Sequence, residues 1–126
     1  MNSCSDKTVL ICDDEPNIRE SIRYAADKEG YQYKMVEDGL AAYETACADI
    51  PDLVVLDVGM PIMTGYEVCK KLRQHPEMEQ TKILILTAFG QSEDKVKAFN
   101  VGATDFMTKP FSPRELRAKL NELLDE

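Results

Sequence analysis

The chain has 126 residues, 15 of them Lys or Arg against 23 Asp or Glu, for a formal charge of −8. Such a length suits one domain that buries roughly two-thirds of its unfolded surface without a disulfide or metal staple. The acidic balance excludes this chain alone from holding nucleic acid or an anionic membrane, since both repel a partner of their own sign.

No apolar run approaches the roughly 18–20 residues of a membrane span, and the start MNSCSDK has no apolar leader segment. A hydrophobic share of 44% belongs to globular chains, not disordered ones. The four cysteines, Cys4, Cys12, Cys47 and Cys69, form no C-x-x-C pair. We expect reduced thiols in a cytoplasmic protein, with Cys12, Cys47 and Cys69 packed in the core. His75 is the only histidine, which disfavours a structural zinc site and leaves a Cys-His or Ser-His nucleophile a single partner beside Pro76.

Short apolar runs alternate with amphipathic segments along the chain. Val9-Leu10-Ile11-Cys12 reads as a buried strand. Pro16 suits a helix's first turn, and Ile18, Ile22 and Ala25/Ala26 recur at helical spacing up to Gly30. Tyr31 to Val36 is a weaker strand in which Gln32 and Lys34 alternate with Tyr31, Tyr33 and Met35, and Gly39 to Ile50 is a helix. Leu53-Val54-Val55-Leu56 is a third strand, apolar throughout and therefore central.

Thr64 and Glu67 have the spacing of a capping box that opens a helix to about Gln74. Ile83 to Leu86 is the fourth strand, and a helix from about Ser92 to Asn100 stops at Gly102. Asp105 to Thr108 is a short fifth strand. Ser112 and Glu115 form a second capping box, with Pro113 at the first helical position, before a helix carrying Leu116, Leu120, Leu123 and Leu124. Five strand-helix units of this size predict a doubly wound α/β domain with a five-stranded parallel sheet and five helices, occupying residues 1–126.

Chemistry collects where the strands end. The first runs into Asp13-Asp14-Glu15, the third into Asp57, the fourth into Thr87 and the fifth into Lys109. In a parallel sheet these ends share one edge, where ligands of open α/β folds bind. Neighbouring strands lie about 4.8 Å apart, so side chains from adjacent ends meet. Two carboxylates about 5 Å apart repel by roughly 3 kcal/mol at an effective dielectric near 20. Asp13, Asp14 and Asp57 therefore call for compensation: Lys109 for one carboxylate, a divalent cation for the rest. Oxygen ligands few in number, completed by water, suit Mg²⁺. A carboxylate beside Mg²⁺, an ammonium and a hydroxyl is equipped to accept a phosphoryl group, and Asp57 on the central strand is the best-placed acceptor.

These residues resemble the receiver domain of bacterial two-component response regulators, chemotaxis-regulator-like, over nearly the whole chain from about Thr8 to Leu124. The resemblance rests on Leu10 to Pro16, on Asp57-Val58-Gly59-Met60-Pro61 continuing through Met63, Gly65 and Glu67, on Leu86-Thr87-Ala88, and on Gly102-Ala103-x-Asp105-Phe106-x-x-Lys109-Pro110-Phe111. It implies a flavodoxin-like strand order 2-1-3-4-5. It further implies a phosphorylation-activated switch in which Asp57 accepts the phosphoryl group from a sensor histidine kinase or histidine phosphotransfer protein. Asp14, Asp57 and the Gly59 carbonyl would ligate Mg²⁺, with Asp13 acting mostly through water. Thr87 and Lys109 would bind the phosphoryl oxygens, Phe106 would move inward as Thr87 turns, and the Lys109–Pro110 bond would be cis. Output to a downstream protein target, or to an effector domain outside this chain, would use the fourth and fifth helices with the strand between them.

The resemblance implies that the positions two after Asp57 and two after Thr87 tune how quickly water removes the phosphoryl group; they hold Gly59 and Phe89, neither of which orients a water. We therefore expect a long-lived phosphorylated state. Glu15, Met60 and Met63 need no role beyond loop and core packing. Three alternatives keep the fold but change the chemistry. A Mg²⁺-dependent phosphohydrolase with an Asp nucleophile needs an acid where Gly59 stands. A flavin carrier needs a Ser/Thr/Gly-rich loop where Asp13-Asp14-Glu15 stands. A receiver-shaped interaction module would take no phosphoryl group.

Overall fold

A computed structural model describes residues 6–88 and 92–124; Cys4 and Phe89 lie outside them. The elements are β1 (Thr8–Cys12), α1 (Pro16–Lys28), β2 (Gln32–Val36), α2 (Gly39–Asp49), β3 (Leu53–Asp57), α3 (Gly65–Leu72), β4 (Lys82–Thr87), α4 (Ser92–Asn100), β5 (Asp105–Thr108) and α5 (Pro113–Leu124). The strands form one parallel sheet in the order β2-β1-β3-β4-β5. The doubly wound arrangement expected from the strand-helix alternation is the one observed.

Alternation along each strand divides the core in two. Leu10, Cys12, Val54, Leu56, Ile83 and Ile85 face α2, α3 and the one buried residue described in α4, Ala98. Val9, Ile11, Leu53, Val55, Leu84 and Leu86 face Ile22, Ala25 and Ala26 of α1 and the leucines of α5. β3 is buried along its entire length, so its apolar run continues directly into a nearly buried Asp57. At the sheet edge, β2 has no fully buried residue and Met35 is 40% exposed, because only one neighbour strand covers it.

Both capping boxes form. Thr64 Oγ1 accepts from the Glu67 amide and Glu67 Oε1 from the Thr64 amide. Ser112 and Glu115 exchange the same pair of bonds. α3 stops at Leu72, shorter than its expected run to Gln74, and Pro76–Met78 adds a 3₁₀ turn that the sequence pattern did not suggest. Arg73 explains the early stop. Its guanidinium donates to the carbonyls of Gly102 and Met78 and to Thr104 Oγ1, tying the chain here to the α4–β5 connection. α1 likewise ends at Lys28, before Gly30, which adopts φ 83°. Cys12 and Cys69 are buried and Cys47 half-buried, all unbridged.

One close approach locks β3 to α3. A Cβ on Gly65 would lie 2.5 Å from the carbonyl oxygen of Asp57, so only glycine lets α3 start against the end of β3. Gly65→Ala is expected to lower stability by about 1–3 kcal/mol, as overpacking against rigid backbone does; urea denaturation measures it, and an unchanged midpoint would contradict the close-approach reading.

Candidate functional site

Asp13 follows the last residue of β1, Asp57 and Thr87 end β3 and β4, and Lys109 follows β5. The sheet brings all four to one edge. Register sets the spacing: Asp57 pairs with Leu86, Thr87 pairs with Thr108, and the Lys109 amide donates to the Thr87 carbonyl at 2.8 Å. Asp13 is fully buried, Asp57 and Thr87 nearly so, and Asp14 is exposed. A cavity of about 380 Å³ is lined by Asp14, Glu15, Asp57, Val58, Gly59, Thr87, Ala88 and Lys109. Gly59 leaves room over the acceptor candidate, since a Cβ there would still stand 3.7 Å from Asp57 Oδ2.

Lys109 is the hub. Its Nζ lies 2.8 Å from Asp57 Oδ1, 3.0 Å from Glu15 Oε1 and 3.1 Å from Asp13 Oδ2. Glu15, read from the sequence as loop, thus joins the site as a partner of the lysine. A run of three acids does not reveal which of them turns toward a lysine 94 residues further on. Arg19 is a second residue that sequence reasoning missed: its guanidinium holds the Asp13 carbonyl at 2.8 Å. The Lys109–Pro110 bond is cis, as the resemblance implies.

The balance of charge is incomplete. Ligand oxygens of Asp13, Asp14 and Asp57 all lie within 4.8 Å of one another, a spacing at which each pair of charges repels by about 3.5 kcal/mol at a dielectric near 20. Burial tends to lower the Lys109 pKa, but its bonds to Asp57, Glu15 and Asp13 prevail and hold it well above the usual lysine range. Asp13 is pushed up, by burial first and by Asp57 further, despite the Glu15 amide and Lys109. Its Oδ1 accepts from the Glu15 amide at 2.9 Å. Its Oδ2 is sealed from solvent and faces the Lys109 ammonium at 3.1 Å, a cation it shares with two other carboxylates. Three carboxylates that share one ammonium, with a buried oxygen among them, are the all-oxygen donor set that a hard divalent cation satisfies.

Phe106 is half-buried on β5, beside Ile85 of β4. The Phe99 ring meets it edge-on at 6.3 Å between centroids, and Lys95 lies 5.9 Å from its centre. Met60 is buried and Met63 packs against the same core, as expected of them. The single histidine is not isolated in its loop: Tyr43 Oη lies 2.7 Å from His75 Nε2.

The raised Asp13 pKa has a definite sign. A carboxyl group more readily protonated in the folded than in the unfolded state opposes folding increasingly as pH rises through that interval, and fully above it. Asp13→Asn, which keeps an oxygen for the Glu15 amide, is therefore expected to raise stability by about 1–3 kcal/mol at pH 7 without divalent ions. The gain should vanish below the ordinary carboxylate range. Thermal unfolding across pH measures it; a less stable variant at pH 7 would contradict the charge-crowding account.

Comparison with known proteins gives a consistent result. Residues 9–121 match the family described as the response regulator receiver domain. The chain is 44% identical over 119 residues to the alkaline phosphatase synthesis transcriptional regulatory protein PhoP of Bacillus subtilis, covering 94% of this chain and 49% of that protein. It is 40% identical over 118 residues to the phosphate regulon transcriptional regulatory protein PhoB of Pseudomonas aeruginosa, covering 94% and 52%. It thus spans about half the length of these curated relatives. Among solved structures, the chemotaxis response regulator CheY4 of Vibrio cholerae superimposes with a TM-score of 0.90 at 34% identity, covering 95% of this chain and 100% of that one. With the fold, the sheet-edge cluster and these likenesses in agreement, the chain belongs to the family of response regulator receiver domains, signalling domains of two-component systems.

Proposed function

We propose that residues 1–126 act as one receiver domain that takes a phosphoryl group onto Asp57 from a phosphohistidine of a sensor histidine kinase or histidine phosphotransfer protein. The observation that carries this reading is the placement of Asp57. It is nearly buried at the end of the fully buried β3, with Oδ1 on Lys109 and Oδ2 beside the open position at Gly59. An Asp57 oxygen attacks phosphorus, the phosphorus–nitrogen bond breaks, and its electron pair stays on the donor imidazole. Lys109 and the Thr87 hydroxyl bind the phosphoryl oxygens as charge spreads over them.

Asp14 and Asp57 with the Gly59 carbonyl would hold Mg²⁺ directly, and Asp13 through water. Bound there, the metal offsets charge on the phosphoryl oxygens. The carboxylate cluster, with its buried Asp13 oxygen, supports that assignment. The receiver is a switch, not an enzyme acting on a separate substrate; Asp57 is both reactant and product.

Output follows from the same edge. As Thr87 turns to the phosphoryl group, Phe106 moves inward from its half-buried place and the α4–β5–α5 surface changes. Val96 and Phe99 expose apolar area there, at 56% and 42%. A protein target, or an effector domain of the kind implied by relatives named as transcriptional regulators, is the proposed reader. The chain's negative charge argues against direct contact with nucleic acid or membrane. No described helix is long and apolar enough to cross a membrane, and we propose a cytoplasmic site of action.

Intact mass after incubation with acetyl phosphate and Mg²⁺ tests the acceptor. A gain of about 80 Da, the mass that an acyl phosphate adds, is expected for the wild type and not for Asp57→Asn or without metal. No gain, together with no Mg²⁺ binding, would contradict the reading and leave a receiver-shaped interaction module. The phosphoryl group should also persist well beyond seconds in Mg²⁺, because Gly59 places no polar side chain over Asp57. Loss within seconds would contradict that expectation.

A further inference from the structure

The hydroxyl of Tyr66, unused by the carboxylate cluster, is buried without a hydrogen-bond partner among the described residues. Tyr66 is 8% exposed in the first turn of α3, within the core cluster that Phe106 packs against. A buried hydroxyl left unbonded costs on the order of 1–3 kcal/mol, so its presence requires a reason. The ring is capped from outside by Lys97 of α4, whose Nζ lies 4.6 Å from its centre.

Across the α3–α4 boundary stands a second unpartnered group. Ala98 is the only buried side chain described in α4, and Asp94, one helical turn before it, lies on the same inward stripe and is half-buried. Asp94 makes no hydrogen bond or ion pair among the described residues, yet its charge reaches the phenol and, after burial, is the second cause of the raised Tyr66 pKa. The helix N-terminus favours an acid in this first turn, and its place on the inward stripe leaves the carboxylate available to a donor on α3.

The C-terminal end of α4 is tied to α3. Beyond its C-terminus, Cys69 Sγ donates to the Val101 carbonyl at 3.4 Å and Arg73 Nε to the Gly102 carbonyl at 2.8 Å. Gly102, at φ 100°, admits this only as glycine, since a Cβ there would meet Arg73 Cγ at 2.6 Å. Its N-terminus begins five residues after Thr87, the group proposed to move. A displacement at the Thr87 end therefore tilts the first turn of α4, which carries Asp94, about a fixed point at Val101–Gly102.

We propose that Tyr66 is a positioning residue of the switch: its hydroxyl donates to the Asp94 carboxylate in the phosphorylated arrangement and finds no partner in the unphosphorylated one. The bond draws the first turn of α4 onto α3. The unbonded hydroxyl raises the energy of the resting arrangement, and both effects favour the switched one. This inference rests on the phosphoacceptor reading of Asp57.

Mg²⁺ with beryllium fluoride, a phosphoryl mimic, is the probe, and its apparent affinity is measured for the full chain and four variants: Tyr66→Phe, Asp94→Ala, Asp94→Asn and the double Tyr66→Phe/Asp94→Ala. When the competent state is a minor one, apparent affinity follows its population. Tyr66→Phe and Asp94→Ala should each weaken binding about tenfold, the scale of a hydrogen bond to a charged group. The double variant should be no weaker than the weaker single one, and Asp94→Asn, which keeps an acceptor oxygen, should recover part of the loss. Tyr66→Phe should not lower the thermal stability of the unliganded protein, whereas a merely structural tyrosine would. Additive losses, or single variants equal to wild type, would overturn the inference while leaving the phosphoacceptor reading intact. A wild type that binds no beryllium fluoride would overturn both.

Discussion

One ammonium group, that of Lys109, is shared by Asp13, Glu15 and Asp57. The rest of the site follows from that inequality. Three carboxylates face one cation inside a largely buried edge, and Asp14 adds a fourth acid at the rim. Such crowding is sustained by the surrounding fold, and it is relieved by whatever brings further positive charge. The sheet supplies the support. β1, β3 and β4 are buried between helices on both faces, so their ends hold position even where the side chains they present repel one another.

That arrangement underlies the proposed coupling of local chemistry to a distant surface. The Lys109 amide is bonded to the Thr87 carbonyl, and Phe106 lies three residues before Lys109 on β5. In the proposed switch a charge placed on Asp57 acts on Lys109 and Thr87 at once, one just after β5 and the other ending β4. α4 is the least embedded of the helices as described, with Ala98 its one buried side chain and its aromatic contacts reinforced by Lys95 and Lys97. Elements with few buried apolar contacts are those whose displacement costs least. The stable part of the molecule thus holds the reactive groups, and the loosely held part carries the proposed output.

Most of this was legible in the sequence because the fold's logic is local. Val9–Cys12, Leu53–Leu56 and Ile83–Leu86 are apolar on both faces, which marks buried parallel strands, and each is followed at once by a polar residue that the sheet brings to one edge. Capping boxes at Thr64 and Ser112 announced two helix starts to the residue. What escaped were facts about pairs. Nothing in Asp13-Asp14-Glu15 says that Glu15, not Asp14, reaches the lysine, because that depends on how the chain turns after β1. Arg73 and the turn at Pro76–Met78 escaped because a long side chain bonding backbone carbonyls leaves no periodic trace. The facing of Tyr66 and Asp94 depends on how α3 and α4 pack, which spacing along either helix cannot reveal.

The central claim is that charge at Asp57 and the α4–β5–α5 surface form one cooperative unit. Backbone amide NMR shifts on adding Mg²⁺ and beryllium fluoride test it most directly. The account predicts changes that run from Asp57 and Lys109 through Thr87 and Phe106 into the first turn of α4, with β1 and α1 beyond the site little altered. Changes confined to the loops that line the cavity, with Phe106 and α4 unmoved, would contradict it.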